Sequence, residues 1–558
     1  MEEKNNAYLE AYQYWKSSRV FDEQTRAEVR GLEDENEIYE RFRCELSFGT
    51  GGLRGIMGAG TNRMNRYTVG KATLGLAMWL RASNPGRRLR VAISYDTRLH
   101  SAEFAEVAAQ VLSARRIRVY LMDRPLPTPV LSYAVRTLHC DAGIMLTASH
   151  NPKEYNGYKA YDATGCQLNL EDSNALTDTI RSISDFSRIP FRGRPELIES
   201  VGSALEESFC RQVLKQSRLR DAAAKRALKI VYTPLHGTGL LPVTRVLAKD
   251  GFTHVSVVPK QAVQDGHFPT VKSPNPEEHA ALDLSLQLAK AKGADLFFGT
   301  DPDSDRVGIG ARKADGSYAL LTGNQVGALL IDFVLSHTDL AALCAGRTPT
   351  VIKTIVTGEL GADVAHAYGA DVVDVLTGFK FIGDRMNRYE RGLEARRYLM
   401  GYEESYGYLV GEHARDKDAV VASMLICEMA AFHKASGRTL FDALDALYKQ
   451  HGFYLDTLSS LTREGARGMA EIEGIMNDLR STGLSRLPEK AKLLDYNLGI
   501  GDLPRSNVLK FVFGDGSWAA VRPSGTEPKI KFYYSIKASS RELAEQRLER
   551  IRAAIQPQ

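Results

Sequence analysis

Three times in this chain a short apolar strand runs straight into a loop crowded with chemically active side chains. Residues 142–146 lead into Thr147-Ala148-Ser149-His150-Asn151-Pro152. Residues 295–298 lead into Gly299-Thr300-Asp301-Pro302-Asp303-Ser304-Asp305-Arg306, and residues 397–400 into Gly401-Tyr402-Glu403-Glu404-Ser405-Tyr406-Gly407. Open α/β sheets bind ligands beyond the carboxyl ends of their strands, so the economical arrangement aims all three loops at one cleft.

The surrounding pattern agrees. Strands are predicted at 89–95, ending in Asp96-Thr97-Arg98, and at 117–122, with a helix at 102–115 between them. Residues 227–232 and 255–258 read as strands, 277–292 as a helix, and 350–356 and 370–376 as strands, the last running into Thr377-Gly378-Phe379-Lys380. The first ~45 residues have the spacing of amphipathic helices, and 418–435 is helical, ending at Gly437. Beyond it the character changes: residues 509–513 and 518–522 alternate around Gly514-Asp515-Gly516 like a hairpin, followed by a strand at 529–536 and a helix at 540–555. The expected fold is therefore three related, mixed-sheet, doubly wound-like α/β domains plus a C-terminal α+β domain around a central cleft. The boundaries are expected at 1–203, 204–314, 315–435 and 436–558.

Lys and Arg number 72 against 68 Asp and Glu, a formal +4 that is small for 558 residues and points away from nucleic acid. The six cysteines are scattered with no C-x-x-C pair, as expected of reduced thiols. The polar amino terminus does not read as a signal peptide, and no apolar run reaches the ~18 residues that span a bilayer. A cytoplasmic enzyme without membrane or nucleic-acid partners, monomeric or weakly dimeric, is expected.

The loops carry distinct chemistry. Ser149 is the candidate nucleophile, its hydroxyl held on a polar turn at a strand's carboxyl end that Asn151-Pro152 keeps from continuing as strand or helix. His150 and Lys159 are the nearby proton carriers or phosphate ligands. Arg54, set among four glycines in Phe48-Gly49-Thr50-Gly51-Gly52-Leu53-Arg54-Gly55, could fork onto phosphate oxygens. Asp301, Asp303 and Asp305 alternate, and an extended segment would send all three carboxylates to one side, where only a hard cation such as Mg²⁺ relieves their repulsion. An EF-hand fails, since the sixth and twelfth loop positions are Arg306 and Arg312 rather than glycine and glutamate. Arg522-Pro523-Ser524-Gly525-Thr526-Glu527-Pro528-Lys529 has the hydroxyls and flanking cations of a phosphate clamp.

Taken in order, the motifs around Ser149, Asp301 to Arg306, Gly401 to Ser405 and Arg522 to Thr526 resemble those of the α-D-phosphohexomutases, the phosphoglucomutase and phosphomannomutase superfamily. The wording of 48–55 and the run Arg415-Asp416-Lys417-Asp418 are similar to its longer branch, which holds bacterial phosphoglucomutases and phosphopentomutase-like relatives. Ser304 is a departure, because many relatives have alanine or glycine there. The resemblance implies a heart-shaped, four-domain enzyme with a mobile fourth domain. It makes Ser149 a phosphoserine whose phosphoryl oxygen joins the three aspartates around Mg²⁺. It directs Glu403 and Ser405 at sugar hydroxyls, and Ser524, Gly525 and Thr526 with Arg522 at the phosphate that does not react. Arg54, His150, Lys159, Arg306 and Lys380 then supply cations and proton transfer, and Gly378 lies in the substrate loop before Lys380. The implied reaction interconverts glucose 1-phosphate and glucose 6-phosphate, with glucose 1,6-bisphosphate as intermediate and activator. Phosphomannomutase, phosphopentomutase, a hexose-bisphosphate synthase, a phosphatase and a silent sugar-phosphate binder are the competing assignments.

Overall fold

In the computed structural model, residues 2–46, 52–463, 465–524 and 529–557 are described. Four sheets follow one another along the chain. The first has the spatial order Leu53–Ile56, Tyr155–Asp162, Ala142–Leu146, Arg90–Tyr95, Arg118–Met122, Ile198–Val201. The second runs Tyr318–Leu321, Val307–Arg312, Leu296–Thr300, Lys229–Thr233, His254–Val257, and the third Asp371–Val375, Thr348–Thr354, Arg396–Glu403, Gly407–Val410. The fourth, Phe453–Thr462, Lys529–Ala538, Trp518–Pro523, Leu509–Phe513, Ala491–Asp495, is antiparallel throughout.

The first three sheets share one device. In each, the strands at the centre are parallel, and one of them turns back into an antiparallel neighbour: Ala142–Leu146 into Tyr155–Asp162, Leu296–Thr300 into Val307–Arg312, Arg396–Glu403 into Gly407–Val410. The functional loops are the connections of these three reversals. Each loop holds a non-glycine residue in the left-handed region, Ser149 (φ 50°), Ser304 (φ 53°) and Tyr406 (φ 64°), a conformation that persists only where surroundings enforce it.

The first three units share a continuous apolar core, in which Met145 and Tyr161 of the first, Phe298 of the second and Leu399 of the third take part. The helix Ala419–Ala435 threads it and is buried on nearly every face, so its unbroken apolar run reflects position in the core. Among the described residues no single helix is long and apolar enough to cross a membrane; this helix and Leu440–His451 qualify only as a pair bent by 86°. The last unit has its own core and meets the third through a separate cluster, Ile355, Val356 and Leu376 against Val508, Trp518 and Tyr533.

Two local expectations change. The helix expected over 277–292 is confined to Asp283–Lys292 after a 3₁₀ turn, because the Asn275 side chain caps the Glu277 amide at 3.1 Å and folds 275–278 as a turn. Glu277 is thereby freed to meet Arg306. The aspartate loop is not extended: the Ser304 amide bonds back to the Asp301 carbonyl at 3.0 Å, so the carboxylates converge through a tight turn instead of strand alternation.

Candidate active site

At the first reversal, Ser149 is almost wholly buried. Its Oγ donates to Asp301 Oδ2 at 2.6 Å and lies 3.3 Å from His150 Nδ1, and its amide donates to Thr147 Oγ1 at 2.7 Å. The left-handed turn at Ser149 is held from behind by Arg98. One guanidinium nitrogen bonds the Ser149 carbonyl at 2.6 Å and also that of Asn151, while the other takes the carbonyls of Pro152 (2.9 Å) and Tyr155 (3.1 Å). Arg98 is neutralised by Asp96, 3.3 Å away, which also accepts from Thr147 Oγ1 at 2.6 Å. A planar fork that satisfies four carbonyls is a task for arginine.

Asp301, Asp303 and Asp305 are fully buried, and an oxygen from each lies within 4.8 Å of the others. Burial pushes the Asp301 carboxyl well up, and repulsion from Asp303 and Asp305 adds to this. Asp303 suffers the same burial and the repulsion of Asp305, yet Lys159 at 2.9 Å holds it down; the Thr128 hydroxyl also donates to it, at 2.9 Å. Asp305, with Lys417 at 3.1 Å and Lys159 at 3.5 Å, is held down more strongly. Even so, Asp303 Oδ1 and Asp305 Oδ1 are buried without a hydrogen-bond partner among the described residues. Two orphaned carboxylate oxygens beside a third buried aspartate are the donor set a hard divalent cation completes. The residues therefore fit a metal.

Arg306, at the end of this loop, pairs with Glu277 and stands 3.8 Å from Asp305 Oδ1, while a backbone bridge joins it to Gly407 at the third reversal. The Val307 amide donates to the Tyr406 carbonyl at 3.1 Å and the Ala419 amide to the Ser304 carbonyl at 3.1 Å, which ties the second and third loops together through their backbones. His150 is depressed well below the usual imidazole range, by burial and then by Arg306 and Arg54, so its ring is neutral beside Ser149. Arg54 reaches across its own sheet to Asn151 Oδ1 at 3.2 Å; the neighbouring 47–51 lie outside the described residues.

Glu403 is buried at the end of its strand and accepts from the Gly378 amide at 2.9 Å, joining two of the expected substrate residues. Ser405 sits in the adjoining turn. Lys380 opens the helix Phe379–Glu390; burial pushes its ammonium down to about 8, and its Nζ reaches the Leu168 carbonyl of the first unit at 3.5 Å. In the last unit Arg522 faces Lys531 across the strands and hydrogen-bonds the Tyr533 hydroxyl. Lys531 lies in the fields of Glu277 and Glu404, which puts this end of the sheet over the cleft. The Ser524 amide closes the loop on the Lys529 carbonyl at 2.7 Å; Gly525 and Thr526 lie outside the described residues.

Sequence reasoning assigned no role to Arg98, Asp96, Thr128, Lys417 or Glu277. Arg98 and Asp96 had a signal, since Asp96-Thr97-Arg98 also follows a buried strand, and Lys417 stands in a charged run that the core buries almost completely. Thr128, on a helix far from the aspartates in sequence, had none.

Four family models match the chain in order. They are described as phosphoglucomutase/phosphomannomutase alpha/beta/alpha domain I (residues 45–186), domain II (207–315), domain III (322–451) and C-terminal domain (463–553). A phosphoglucomutase of Staphylococcus epidermidis (strain ATCC 12228) is 38% identical over 548 residues, 95% of this chain and 97% of the relative. Another, of Staphylococcus aureus (strain MRSA252), is 38% identical over 525 residues, 90% of this chain and 92% of the relative. Among solved structures, the open form of the Paramecium phosphoglucomutase parafusin aligns with a TM-score of 0.69 at 18% identity, covering 92% of this chain and 97% of that one. A phosphoglucomutase/phosphomannomutase family protein from Burkholderia thailandensis aligns with a TM-score of 0.68 at 19% identity, covering 91% and 96%. With four units in this order and relatives matched over nearly their whole length, the chain belongs to the phosphoglucomutase/phosphomannomutase family and is a phosphohexomutase, an isomerase.

Proposed function

We propose that this enzyme interconverts glucose 1-phosphate and glucose 6-phosphate, with Ser149 carrying the transferred phosphoryl group and glucose 1,6-bisphosphate as the intermediate. The observation that carries the reading is the 2.6 Å approach of Ser149 Oγ to Asp301 within the buried triad, with neutral His150 at its other side. Asp301, Asp303 and Asp305 would hold Mg²⁺, the small hard cation suited to carboxylates and a phosphoryl oxygen, which when bound supplies charge neutralisation at the transferring group.

The chain's own residues supply the rest. Arg98 fixes the Ser149 turn so that the oxygen that gives up and later regains phosphate returns to one position. Lys159 and Arg306 add positive charge where negative charge collects, the larger part of catalysis in phosphoryl transfer. His150, held neutral beside the hydroxyl, and Lys380, whose ammonium burial pushes down to about 8, are the candidates for proton transfer. Glu403, steadied by Gly378, and Ser405 would bind the sugar hydroxyls, and Arg522 with Ser524, Gly525 and Thr526 the distal phosphate. Gripping sugar and phosphate on separate loops lets the bisphosphate turn over without leaving, and closure of the last unit excludes the water that would hydrolyse phosphoserine.

The test is intact mass before and after incubation with glucose 1,6-bisphosphate, followed by kinetics on a panel of sugar phosphates. One added phosphoryl group mapped to Ser149, with glucose 1-phosphate the best substrate, is expected. Absence of phosphorylation, or phosphate release without isomerisation, overturns the reading, and a preference for mannose or pentose phosphates moves the substrate.

A further inference from the structure

We propose that a cavity of about 420 Å³ at the opposite end of the second sheet binds a small phosphorylated anion at a site separate from the catalytic cleft. It lies between the hairpin joining Val307–Arg312 to Tyr318–Leu321 and the ends of the two helices Ala419–Ala435 and Leu440–His451.

Charge decides the ligand class. Four cations line the cavity, Arg312, Lys313, Lys434 and Arg438, against two carboxylates, Asp295 and Asp315. Asp295 is already used: its Oδ2 takes the Lys434 ammonium at 2.5 Å and the Lys229 amide at 2.8 Å. Asp315 is turned into its own hairpin, accepting the Ser317 amide at 2.8 Å. Among the described residues Arg312, Lys313 and Arg438 make no salt bridge, and the Lys313 ammonium lies 5.4 Å from the Phe441 ring. Three cations thus face a concave surface whose lining leaves Asp315 as the remaining carboxylate, close to Lys313, while Asp442 lies nearby in the field of Arg438. Below them the floor is apolar, formed by Leu228, Ala430 and Leu440, all buried. Two forked guanidiniums and an ammonium above an apolar floor suit a phosphate dianion attached to a flat or apolar body, and the volume accommodates one small organic phosphate.

The cavity is remote from the chemistry yet built on the same elements. Asp295 precedes the strand that delivers Asp301, and Arg312 ends the strand that begins after Arg306. Lys434 stands in the last turn of the helix Ala419–Ala435 that Asp418 caps beside Lys417. The strand separates the two sites by roughly 20 Å.

Calorimetric titration of the full chain in Mg²⁺ buffer, with inorganic phosphate and with adenosine diphosphate as probes, tests the site. We expect a saturable event that weakens about tenfold or more in Arg312→Gln/Arg438→Gln, and at least as much in Arg312→Glu/Arg438→Glu, while the KM for glucose 1-phosphate is unchanged. Tighter binding of the nucleotide than of phosphate shows that the apolar floor is used, and equal binding that the cations act alone; both support the site. No saturable binding, or binding that the double substitutions leave intact, overturns it, the latter because the anion then occupies the catalytic cleft.

Discussion

Ser149 Oγ donates to Asp301 Oδ2 at 2.6 Å although 152 residues separate them. The two come from different sheets, each at the reversal where a parallel strand gives way to an antiparallel one. The contact also means that the hydroxyl already points at the carboxylate expected to share a cation with its phosphoryl oxygen.

Ser149→Ala removes that oxygen and little else, because Ala tolerates φ 50° about as poorly as Ser does. Turnover is expected to fall by about 10³-fold or more, with the thermal midpoint nearly unchanged and no phosphoryl group gained from glucose 1,6-bisphosphate. Residual mutase activity within tenfold of wild type would exclude Ser149 as the carrier.

Lys159 neutralises two of the buried aspartates, at 2.9 and 3.5 Å. Lys159→Met leaves them to repel each other in the core, a change expected to cost about 3–5 kcal/mol in metal-free protein. A bound divalent cation takes over part of the lost charge, so Mg²⁺ should raise the melting temperature of the variant more than that of the wild type. Equal Mg²⁺ shifts in the two proteins would show that the lysine and the metal do not compete for the same carboxylates.

Arg98→Lys keeps the charge beside Asp96 but cannot satisfy four carbonyls at once. The Ser149 turn should loosen, and kcat should fall by about 10²-fold while KM for glucose 1-phosphate changes little, since misplacing the reacting oxygen by an ångström is enough. A rise in KM at constant kcat would mean that the clamp serves binding instead.

The fold was largely legible because its signals are local. The strand Ala142–Leu146 is a solid apolar run with Asn-Pro after it, and the Gly514-Asp515-Gly516 hairpin carries its own turn chemistry. Lost were features that depend on contacts between distant segments. Glu277 reads as a helix start until Asn275 caps its amide and Arg306 supplies a partner, and Thr128 becomes part of the aspartate cluster only when the first and second units dock. The aspartate motif pointed to the right cluster through the wrong geometry: alternation suggested convergence, whereas the turn at Ser304 produces it. Ser304 fits because its hydroxyl meets Thr238 Oγ1 at 3.1 Å and lies 3.5 Å from the Asp301 carbonyl.

Lys380 is expected to give the reaction a pH dependence. Burial favours its neutral form, so the ammonium is lost as pH rises through about 8. The unfolded chain keeps the proton up to the ordinary lysine value, so this residue makes folding more favourable as pH rises across that interval. If Lys380 acts as a cation toward phosphate or as a proton donor, kcat/KM should decline above pH 8, and Lys380→Arg should abolish that limb at reduced overall rate. A limb that survives the substitution belongs to another group.

Glu403 is where the sugar is expected to be read. One of its oxygens accepts from the Gly378 amide, which fixes the carboxylate plane and leaves acceptor capacity facing the cleft for adjacent hydroxyls. Glucose and mannose present O3 and O4 equatorially and differ at C2, so Glu403 should separate them weakly. Galactose has an axial O4 and would leave acceptor capacity unmet in a closed site, a penalty of about 1–3 kcal/mol. Glucose 1-phosphate is therefore expected to be best, mannose 1-phosphate slower, and galactose 1-phosphate at least ~10-fold worse in kcat/KM. Glu403→Gln should narrow the gap between glucose and galactose, because an amide satisfies neither arrangement well. Side-by-side kinetics on the three substrates with both proteins decides it: galactose 1-phosphate turning over as fast as glucose 1-phosphate would place sugar recognition elsewhere than on the Glu403 loop.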